Sequence, residues 1–563
     1  MSEKSPDDRP RANRGPGGHN FPIFGVPASA FRRFHATVLS PDGADVIGDD
    51  EPPHPTVYRP DRLILPGLPG RGLDAGPFPE LERIGQLLGF MPQVVPGTTT
   101  DLGDDADNER YLQRLDAVAR VAVELVPVPD RVGPPIDAWE VLQLARRDER
   151  RARRVEEGGT QADADLTDEE REALKTSLVS RAGSWSLNHV LMASGYGSGV
   201  GYGSGVGYGS GVGYGSGVGY GSGVGYGSGV GIPGTADGRT PVMLCMEPPA
   251  PQGKRSPVVA ILDTGLGQHP WFDGSPLVDR NPEVDGRPIG VQFGPGEDPE
   301  RDGVTIDHVN GILDPMAGHG TFIAGLVRQH CPAARLVIVP VMYGDGAADE
   351  RDLIDALQAL LLWHWKRLDG SAKGDPLDVV SLSLGYYHET PGAVDDEAGL
   401  FAAIRELQRS GVSVVAAAGN GATTLPFWPA ALADRHPDGG APLTSVGALN
   451  PNDGTVAAFS NTGSWVHAYR CGVAVVSTMP VTFDGSLQGS LLVPATPGQP
   501  ARGTPDPDDY SSGFAVWNGS SFASPTCAGQ VARLLCDTES HSDPAQRVEL
   551  AAKVVGTVVG GGA

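Results

Sequence analysis

Residues 258–265 read Val-Val-Ala-Ile-Leu-Asp-Thr-Gly and set the pattern for the second half of the chain. Val258 to Leu262 is an unbroken apolar run, which is typical of a strand buried on both faces of a parallel sheet. Comparable runs follow at Arg335 to Val341, Asp378 to Leu384 and Val412 to Ala417, with helical patterns between them. Such an alternation of strands and helices predicts an α/β domain built on a parallel sheet.

Three polar residues stand beyond the carboxyl ends of strands, where sheets of this class hold their ligands. Asp263 closes the first strand, His319 opens a helix in Gly-His-Gly-Thr-Phe-Ile-Ala-Gly, and Ser521 opens another in Asn-Gly-Ser-Ser-Phe-Ala-Ser-Pro. Taken singly, each has an ordinary structural explanation, since a Ser before a helix is often its N-cap. Together, in the order Asp, His, Ser, they match one known order of a serine-protease triad.

The second half therefore resembles the subtilase family of serine proteases. The resemblance rests on these three motifs and on a fourth, Val-Val-Ala-Ala-Ala-Gly-Asn at 414–420, which is similar to the family's oxyanion segment. It implies a subtilisin-like catalytic domain over 232–563 and serine endopeptidase activity on polypeptides. The motifs depart from the common pattern at Phe322, Ser520 and Phe522, which bears on specificity and rate rather than on reaction class.

The resemblance also implies a role for each candidate residue. Ser521 would attack the substrate carbonyl, and His319 would take the Ser521 proton and pass it to the leaving amine. Asp263 would hold the imidazole in the required tautomer and stabilise its charged form. Asn420 and the backbone N–H of Ser521 would donate hydrogen bonds to the oxyanion.

Two segments resemble the walls of the pocket for the residue before the cut: Ser383, Leu384, Gly385, Ala417, Ala418 and Gly419. An extended substrate would pair its backbone with the first of them. The later stretch Leu425 to Pro429 would return to the pocket floor and bring Phe427 there, so that only small or medium side chains would fit. The alternative is that Phe427 turns into the core and leaves the pocket open.

The first half of the chain predicts a small α+β domain over 51–194. Thr56 to Leu65 and Ala119 to Val128 have strand patterns. Many subtilases carry a pro-domain of this size and composition, and Ser186 to Val190 would then be its tail entering the active site. A targeting or partner-binding module is the alternative. We expect residues 1–50 to be disordered.

Six uninterrupted copies of Gly-Tyr-Gly-Ser-Gly-Val fill residues 195–230. Half of each unit is glycine, so ordering the segment costs much backbone entropy and buries little apolar surface. The repeat therefore predicts a linker over 195–231. A glycine-rich stack of strands that uses the regularly spaced tyrosines is the alternative, and it would suit a structural protein.

Composition and charge exclude several classes of partner. The formal net charge of −26 argues against nucleic acid and anionic membrane. Met1 to Asn20 has no apolar stretch of the kind found in secretory signals, and no apolar run is long enough to span a bilayer. The five cysteines show no C-x-x-C pairing. We therefore expect a cytoplasmic location, and the oligomeric state is left open.

Triad chemistry requires no cofactor. The resemblance implies that structural calcium can be bound, and the acidic loop Glu297 to Asp314 is a candidate, although its spacing assigns no metal ligands. A non-catalytic binding protein on a subtilase scaffold is the alternative function. The intact set of Asp263, His319, Ser521 and Asn420 favours an active enzyme over that alternative.

Overall fold

The computed structural model describes residues 26–41, 52–67, 78–97, 108–129, 131–157, 167, 182–194, 238–390, 399–435, 439–452 and 454–560. The predicted repeat linker over 195–231 lies outside these residues. Within them no helix is long and apolar enough to cross a membrane.

The N-terminal part of the chain contains four α-helices and five strands among its described residues. In chain order these are α1 (Ala28–Phe34), β1 (Thr37–Leu39), β2 (Thr56–Pro66), α2 (Pro79–Leu88), β3 (Phe90–Val94), α3 (Glu109–Asp116), β4 (Arg120–Pro127), α4 (Ala138–Glu156) and β5 (Ser186–Ala193). The predicted disorder of residues 1–50 is wrong for α1 and β1, because β1 pairs with β2 and Phe34 is buried.

The N-terminal sheet is antiparallel and has a core of its own. Strand β2 lies at its centre and pairs with β4 on one side and β5 on the other. Leu63 faces Val123 across the first pairing, and both side chains pack against helices α2 and α4 through Leu81 and Trp139. This apolar cluster explains why the segment folds as the predicted α+β unit.

The second part of the chain supplies the remaining elements. Its first strands and helices are β6 (Thr240–Pro241), β7 (Val258–Asp263), β8 (Val278–Asp279), β9 (Glu283–Val284), β10 (Arg287–Pro288), α5 (His319–His330), β11 (Arg335–Pro340), β12 (Ala347–Asp349), α6 (Glu350–Leu368), β13 (Val379–Leu382), β14 (Leu384–Gly385), α7 (Phe401–Arg409) and β15 (Ser413–Ala417). The last are β16 (Leu443–Leu449), β17 (Ala468–Cys471), β18 (Val475–Thr478), β19 (Leu492–Val493), β20 (Arg502–Gly503), β21 (Phe514–Trp517), α8 (Ser520–Leu535) and α9 (Pro544–Gly560).

Seven strands form the central sheet of this part, in the order β17-β16-β15-β13-β7-β11-β8, and all of the pairings are parallel. Strand β7 is fully buried between β13 and β11, as its unbroken apolar run predicts. The predicted α/β class with a parallel sheet is therefore confirmed. The carboxyl ends of β7, β13 and β15 lie at one edge. Asp263 is the last residue of β7, and Ser383 and Asn420 follow β13 and β15.

One predicted strand is divided in the structure. The run Asp378 to Leu384 forms β13, which ends at Leu382, and the separate short strand β14. Ser383 lies between them, and its hydroxyl donates to the backbone carbonyl of Ser521 at 3.0 Å. Strand β14 leaves the parallel sheet and pairs antiparallel with β5 of the N-terminal part. Thus the two parts of the chain share one sheet.

Candidate active site

Asp263 and His319 meet at the carboxyl edge of the parallel sheet. The Oδ1 atom of Asp263 lies 2.7 Å from Nδ1 of His319, and both side chains are buried. Oδ1 also accepts the backbone N–H of Thr264 at 2.8 Å. Because an ionised carboxylate can only accept, Nδ1 is the donor in this contact. The pairing therefore leaves Nε2 of His319 as the nitrogen that can accept a proton.

The helix that contains Ser521 packs against the helix that begins with His319. Ser521 lies in the first turn of α8, and α8 packs against α5 through Phe322 and Phe522, whose ring centroids are 4.5 Å apart. The ring of His319 lies 5.4 Å from that of Phe522 and 5.6 Å from that of Trp517. Of the departures from the common motif, Phe522 thus packs beside the imidazole, and Phe322 packs against Phe522 and Trp517.

The Ser521 hydroxyl donates to the backbone carbonyl of Ser383 at 3.4 Å. Nε2 of His319 is buried and has no hydrogen-bond partner among the described residues. Catalytic hydrogen bonds are often long or misaligned without substrate and shorten in the complex. The structure therefore pairs Asp263 with His319, whereas the Ser521 hydroxyl is directed to the Ser383 carbonyl and not to Nε2 of His319.

Asn420 is fixed through its side-chain carbonyl. Its Oδ1 accepts the backbone N–H of Ser520 at 3.0 Å, which directs the amide NH₂ the opposite way. The Ser520 hydroxyl in turn accepts the backbone N–H of Gly419 at 3.1 Å. Ser520, a third departure from the motif, thus ties the start of α8 to the segment before Asn420.

Asn461 is a residue of this site that sequence reasoning missed. Its Nδ2 donates to the carbonyl of Ala418 at 2.8 Å, and its Oδ1 accepts the backbone N–H of Gly421 at 2.9 Å. These bonds hold the residues on either side of Asn420. Asn461 precedes Thr-Gly, and this short sequence predicts only a turn. The neighbouring residues therefore give no sign that Asn461 contacts the segment around Asn420.

Glu300 is a second residue that sequence reasoning missed. Its Oε1 accepts the Thr264 hydroxyl at 2.5 Å and the Gly320 backbone N–H at 2.9 Å, while Oε2 accepts the Thr321 hydroxyl at 2.5 Å. The buried carboxyl therefore joins the residue after Asp263 to the residues after His319. Burial, which outweighs the two threonine hydrogen bonds, raises the pKa of Glu300 to about 7.

The two predicted wall segments enclose the ring of Phe427. A Cβ placed on Gly385 would lie 2.6 Å from Cε1 of Phe427, and one placed on Gly419 would lie 3.0 Å from its Cδ1. Phe427 is buried, with only 6% of the residue exposed. It also packs against Tyr387, with centroids 5.1 Å apart. The benzyl group thus occupies the space between Ser383–Gly385 and Ala417–Gly419.

The end of β5 lies between two strands of the catalytic part. Met192 and Leu191 pair with Ala347 and Ala348 of β12 on one edge, and Ala193 pairs with Leu384 of β14 on the other. The ladder continues past the strand, since the N–H of Ser194 donates to the Ser383 carbonyl at 2.8 Å. Residues 190–194 therefore lie extended across the cleft that contains Ser521.

Carboxylates that could hold a metal ion gather away from the triad. Within the described residues one such group was found, and its members are Asp484, Asp506 and Asp508, with candidate ligand atoms within 4.8 Å of one another. Burial, with Asp506 and Asp484 nearby, raises the pKa of Asp508 to about 6. In the candidate calcium loop Glu297 to Asp314, Asp314 accepts the backbone N–H and the hydroxyl of Thr305.

Several known proteins are similar to this chain. The family model described as the Subtilase family matches residues 254–559, more than half of the chain. Subtilisin BL of Lederbergia lenta is 30% identical over 248 residues, which is 42% of this chain and 71% of that protein. The Thermophilic serine proteinase of Bacillus sp. (strain AK1) is 26% identical over 312 residues, 54% of this chain and 59% of that protein. A crystal structure of a cold adapted subtilisin-like serine proteinase matches at 20% identity with a TM-score of 0.32, covering 56% of this chain and 87% of that one.

Proposed function

The chain belongs to the subtilase family and is a serine-type endopeptidase, and on that premise we propose that Asp263, His319 and Ser521 carry out the hydrolysis. The observation that supports the proposal most directly is the buried 2.7 Å contact between Asp263 and His319. His319 is the first residue of α5, and α5 packs against α8, the helix that begins with Ser520 and Ser521. Peptide segments of proteins are the substrates.

The reaction runs in two halves. Nε2 of His319 takes the proton of the Ser521 hydroxyl as Oγ attacks the peptide carbonyl, and it then passes that proton to the departing amine. The result is an ester between Ser521 and the acyl part of the substrate. Water then attacks the ester with His319 again as base, which releases the acid and restores the hydroxyl. Asp263 keeps Nδ1 protonated and stabilises the imidazolium in both halves.

Negative charge develops on the former carbonyl oxygen in each half. The side-chain NH₂ of Asn420 and the backbone N–H of Ser521 are the donors for this oxyanion. The Ser520 and Asn461 bonds support this role, because they fix the orientation of the Asn420 segment before substrate arrives. A donor that does not need to reorganise stabilises the transition state more than the ground state.

The first half of the chain acts as a pro-domain whose tail occupies the substrate path. Residues 190–194 pair on both edges as an extended substrate would, and Ser194 donates to the Ser383 carbonyl beside the nucleophile. Ser194 is then the residue before the cut, and the bond from Ser194 to Gly195 is the one that the enzyme cleaves in its own chain. A small residue at this position agrees with a pocket filled by Phe427.

No cofactor takes part in this chemistry. Structural calcium, which the family resemblance implies, would be held by Asp484, Asp506 and Asp508, whose mutual repulsion a cation would relieve. Its contribution would be to stability, since the cluster includes none of the triad residues.

The experiment compares purified wild type with Ser521→Ala and with Ser540→Ala, an exposed serine outside the site. Casein hydrolysis, labelling by a fluorophosphonate probe and intact mass are measured on each. We expect wild type and Ser540→Ala to be active, labelled and cut to give a fragment beginning at Gly195. Ser521→Ala should stay intact and unlabelled.

Two outcomes would contradict the proposal. Labelling of Ser520 in Ser521→Ala would mean that the nucleophile is the neighbouring serine. A wild type that is folded yet neither labelled nor active would favour the alternative, a non-catalytic binding protein on a subtilase scaffold.

A further inference from the structure

His189 of β5 lies between two carboxylates of the catalytic part. Its Nδ1 is 2.6 Å from Oε2 of Glu350, and its Nε2 is 2.9 Å from Oε2 of Glu389. Its backbone N–H also donates to Oε2 of Glu350 at 2.9 Å. All three side chains are inaccessible to solvent or nearly so, at 0–1% exposure. The contact is therefore a buried triad of ionisable groups outside the catalytic one.

The imidazole in this contact is a cation. Each ring nitrogen faces a carboxylate oxygen, and only the doubly protonated ring can donate to both. Burial alone lowers the pKa of His189, but the charges and hydrogen bonds of Glu350 and Glu389 together raise it to about 9. The ring of Tyr386 stacks on the imidazole, with centroids 4.1 Å apart, and presents an aromatic face to the charge.

The two carboxylates belong to the walls of the substrate cleft. Glu350 directly follows β12, and Glu389 lies four residues beyond β14. These are the strands between which residues 190–193 are paired. Two buried carboxylates that face each other repel unless a cation lies between them. The cleft is thus built to receive a positive charge carried by an extended chain.

The imidazole does not use the whole hydrogen-bonding capacity of this site. Oε1 of Glu350 and Oε1 of Glu389 are buried and have no hydrogen-bond partner among the described residues. An ammonium group has three donors and a guanidinium has five, whereas the imidazolium has two. Lysine or arginine could therefore satisfy these oxygens better than histidine does.

We propose that Glu350 and Glu389 form a subsite that selects a basic side chain in the sixth residue before the cleaved bond. The position follows from the chain itself, where His189 is the sixth residue before the bond between Ser194 and Gly195. The inference rests on the proposed function, because it takes Ser194 as the residue before the cut. The preferred substrates are polypeptides with Lys, Arg or protonated His at this position.

The first test measures kcat/KM on peptides that keep Val-Leu-Met-Ala-Ser, the sequence of 190–194, before the cut. The residue preceding this stretch is Lys, Arg, His, norleucine or Glu. A charge-assisted, desolvated contact predicts that Lys and Arg exceed norleucine by about tenfold to hundredfold, with Glu lowest. The ratio between two peptides does not depend on the fraction of active enzyme.

Two variants identify the source of that preference. In Glu350→Gln/Glu389→Gln the ratio of Lys to norleucine should fall to near one. Glu406→Gln is the matched control, because Glu406 also binds the N-terminal part, through Arg114 at 2.8 Å, but lies away from β5. The control should keep the wild-type ratio. A wild-type ratio near one, or a ratio that survives the double substitution, would overturn the proposal.

A second measurement needs no activity. In the full chain carrying Ser521→Ala, His189 is replaced by Lys or Gln and the melting temperature is recorded. His189→Lys should melt at least as high as the parent and His189→Gln lower, and this difference should vanish when Glu350→Gln/Glu389→Gln is added. Equal melting temperatures for His189→Lys and His189→Gln would overturn the proposal that the subsite selects a positive charge. If this order held while no peptide was cut, the proposed catalysis would be wrong and the basic subsite would stand.

Discussion

Replacement of Phe427 by glycine should change which residue the enzyme accepts before the cut. The ring lies between the two wall segments, so close to Gly385 and Gly419 that a Cβ on either glycine would approach within 2.6–3.0 Å of it. A substrate benzyl group would have to share this space. Overpacking a preformed apolar site costs about 1–3 kcal/mol, which corresponds to roughly tenfold to hundredfold in kcat/KM. Phe427→Gly should recover that factor for Phe relative to Ala.

The assay uses peptides that differ only in the residue before the cut, which is Ala, Leu or Phe. Wild type should prefer Ala and Leu. Because Phe427 is buried, its removal also costs about 3–5 kcal/mol of stability, so only the ratio of kcat/KM values within one variant is informative. Phe427→Leu should give an intermediate ratio. Phe272→Leu, which alters a buried ring outside the pocket, should leave the wild-type ratio unchanged.

Two results would refute the reasoning. A wild type that prefers Phe or Tyr would mean that the ring moves aside or does not limit the pocket. A ratio of Phe to Ala that stays constant from wild type to Phe427→Gly would place the binding pocket elsewhere, and Phe427 would then be a core residue only.

Three further predictions concern the oxyanion, the buried carboxyl and the docked tail. Asn420→Ala should lower kcat by about 10²–10³ with little change in KM, the loss known for the equivalent donor of subtilisin; a pure KM effect would assign it to ground-state binding. Glu300→Ala should lower kcat more than Glu300→Gln. Both substitutions should alter the pH profile of kcat/KM near neutrality, because the pKa of the Glu300 carboxyl is raised to about 7. Unchanged pH profiles would restrict Glu300 to a structural role. Because the pKa of His189 is raised from 6.5 to about 9, its stabilisation of the docked tail, about 3 kcal/mol, is fully present below pH 6.5 and is lost as the pH rises through about 9. Melting curves of the Ser521→Ala chain against pH should show this loss, and His189→Gln should remove it.

The sequence was sufficient for the elements whose signals are local. Strand β7 is an apolar run buried on both faces, and the parallel alternation places Asp263 at the sheet edge where sites form. His319 begins α5 and Ser521 lies in the first turn of α8, as their glycine-containing motifs predict. Their positions could be predicted because each stands at a fixed position relative to a strand or helix end.

Features that depend on contacts between distant segments could not be predicted. Asn461 and Glu300 act on the site through hydrogen bonds to residues tens of positions away, and neither has a local pattern that distinguishes it from a turn or loop residue. The helix Ala28–Phe34 was missed because its apolar face is short and is buried against Val57, Val190 and Ala347, in segments far along the chain.

Part of the negative net charge lies along the substrate path, where it is paired with basic residues of the N-terminal part. Arg33, Arg59 and His189 of the N-terminal part bind Asp345, Asp349 and Glu350, which lie in sequence along one side of the substrate path. The excess of carboxylates that argues against nucleic acid is thus partly concentrated where substrate enters. The proposed removal of the N-terminal part would take these cations away and leave the carboxylates without partners of opposite charge. On that proposal we expect the cleft to favour basic polypeptide segments, and salt should weaken this attraction, because screening acts on charges that water reaches.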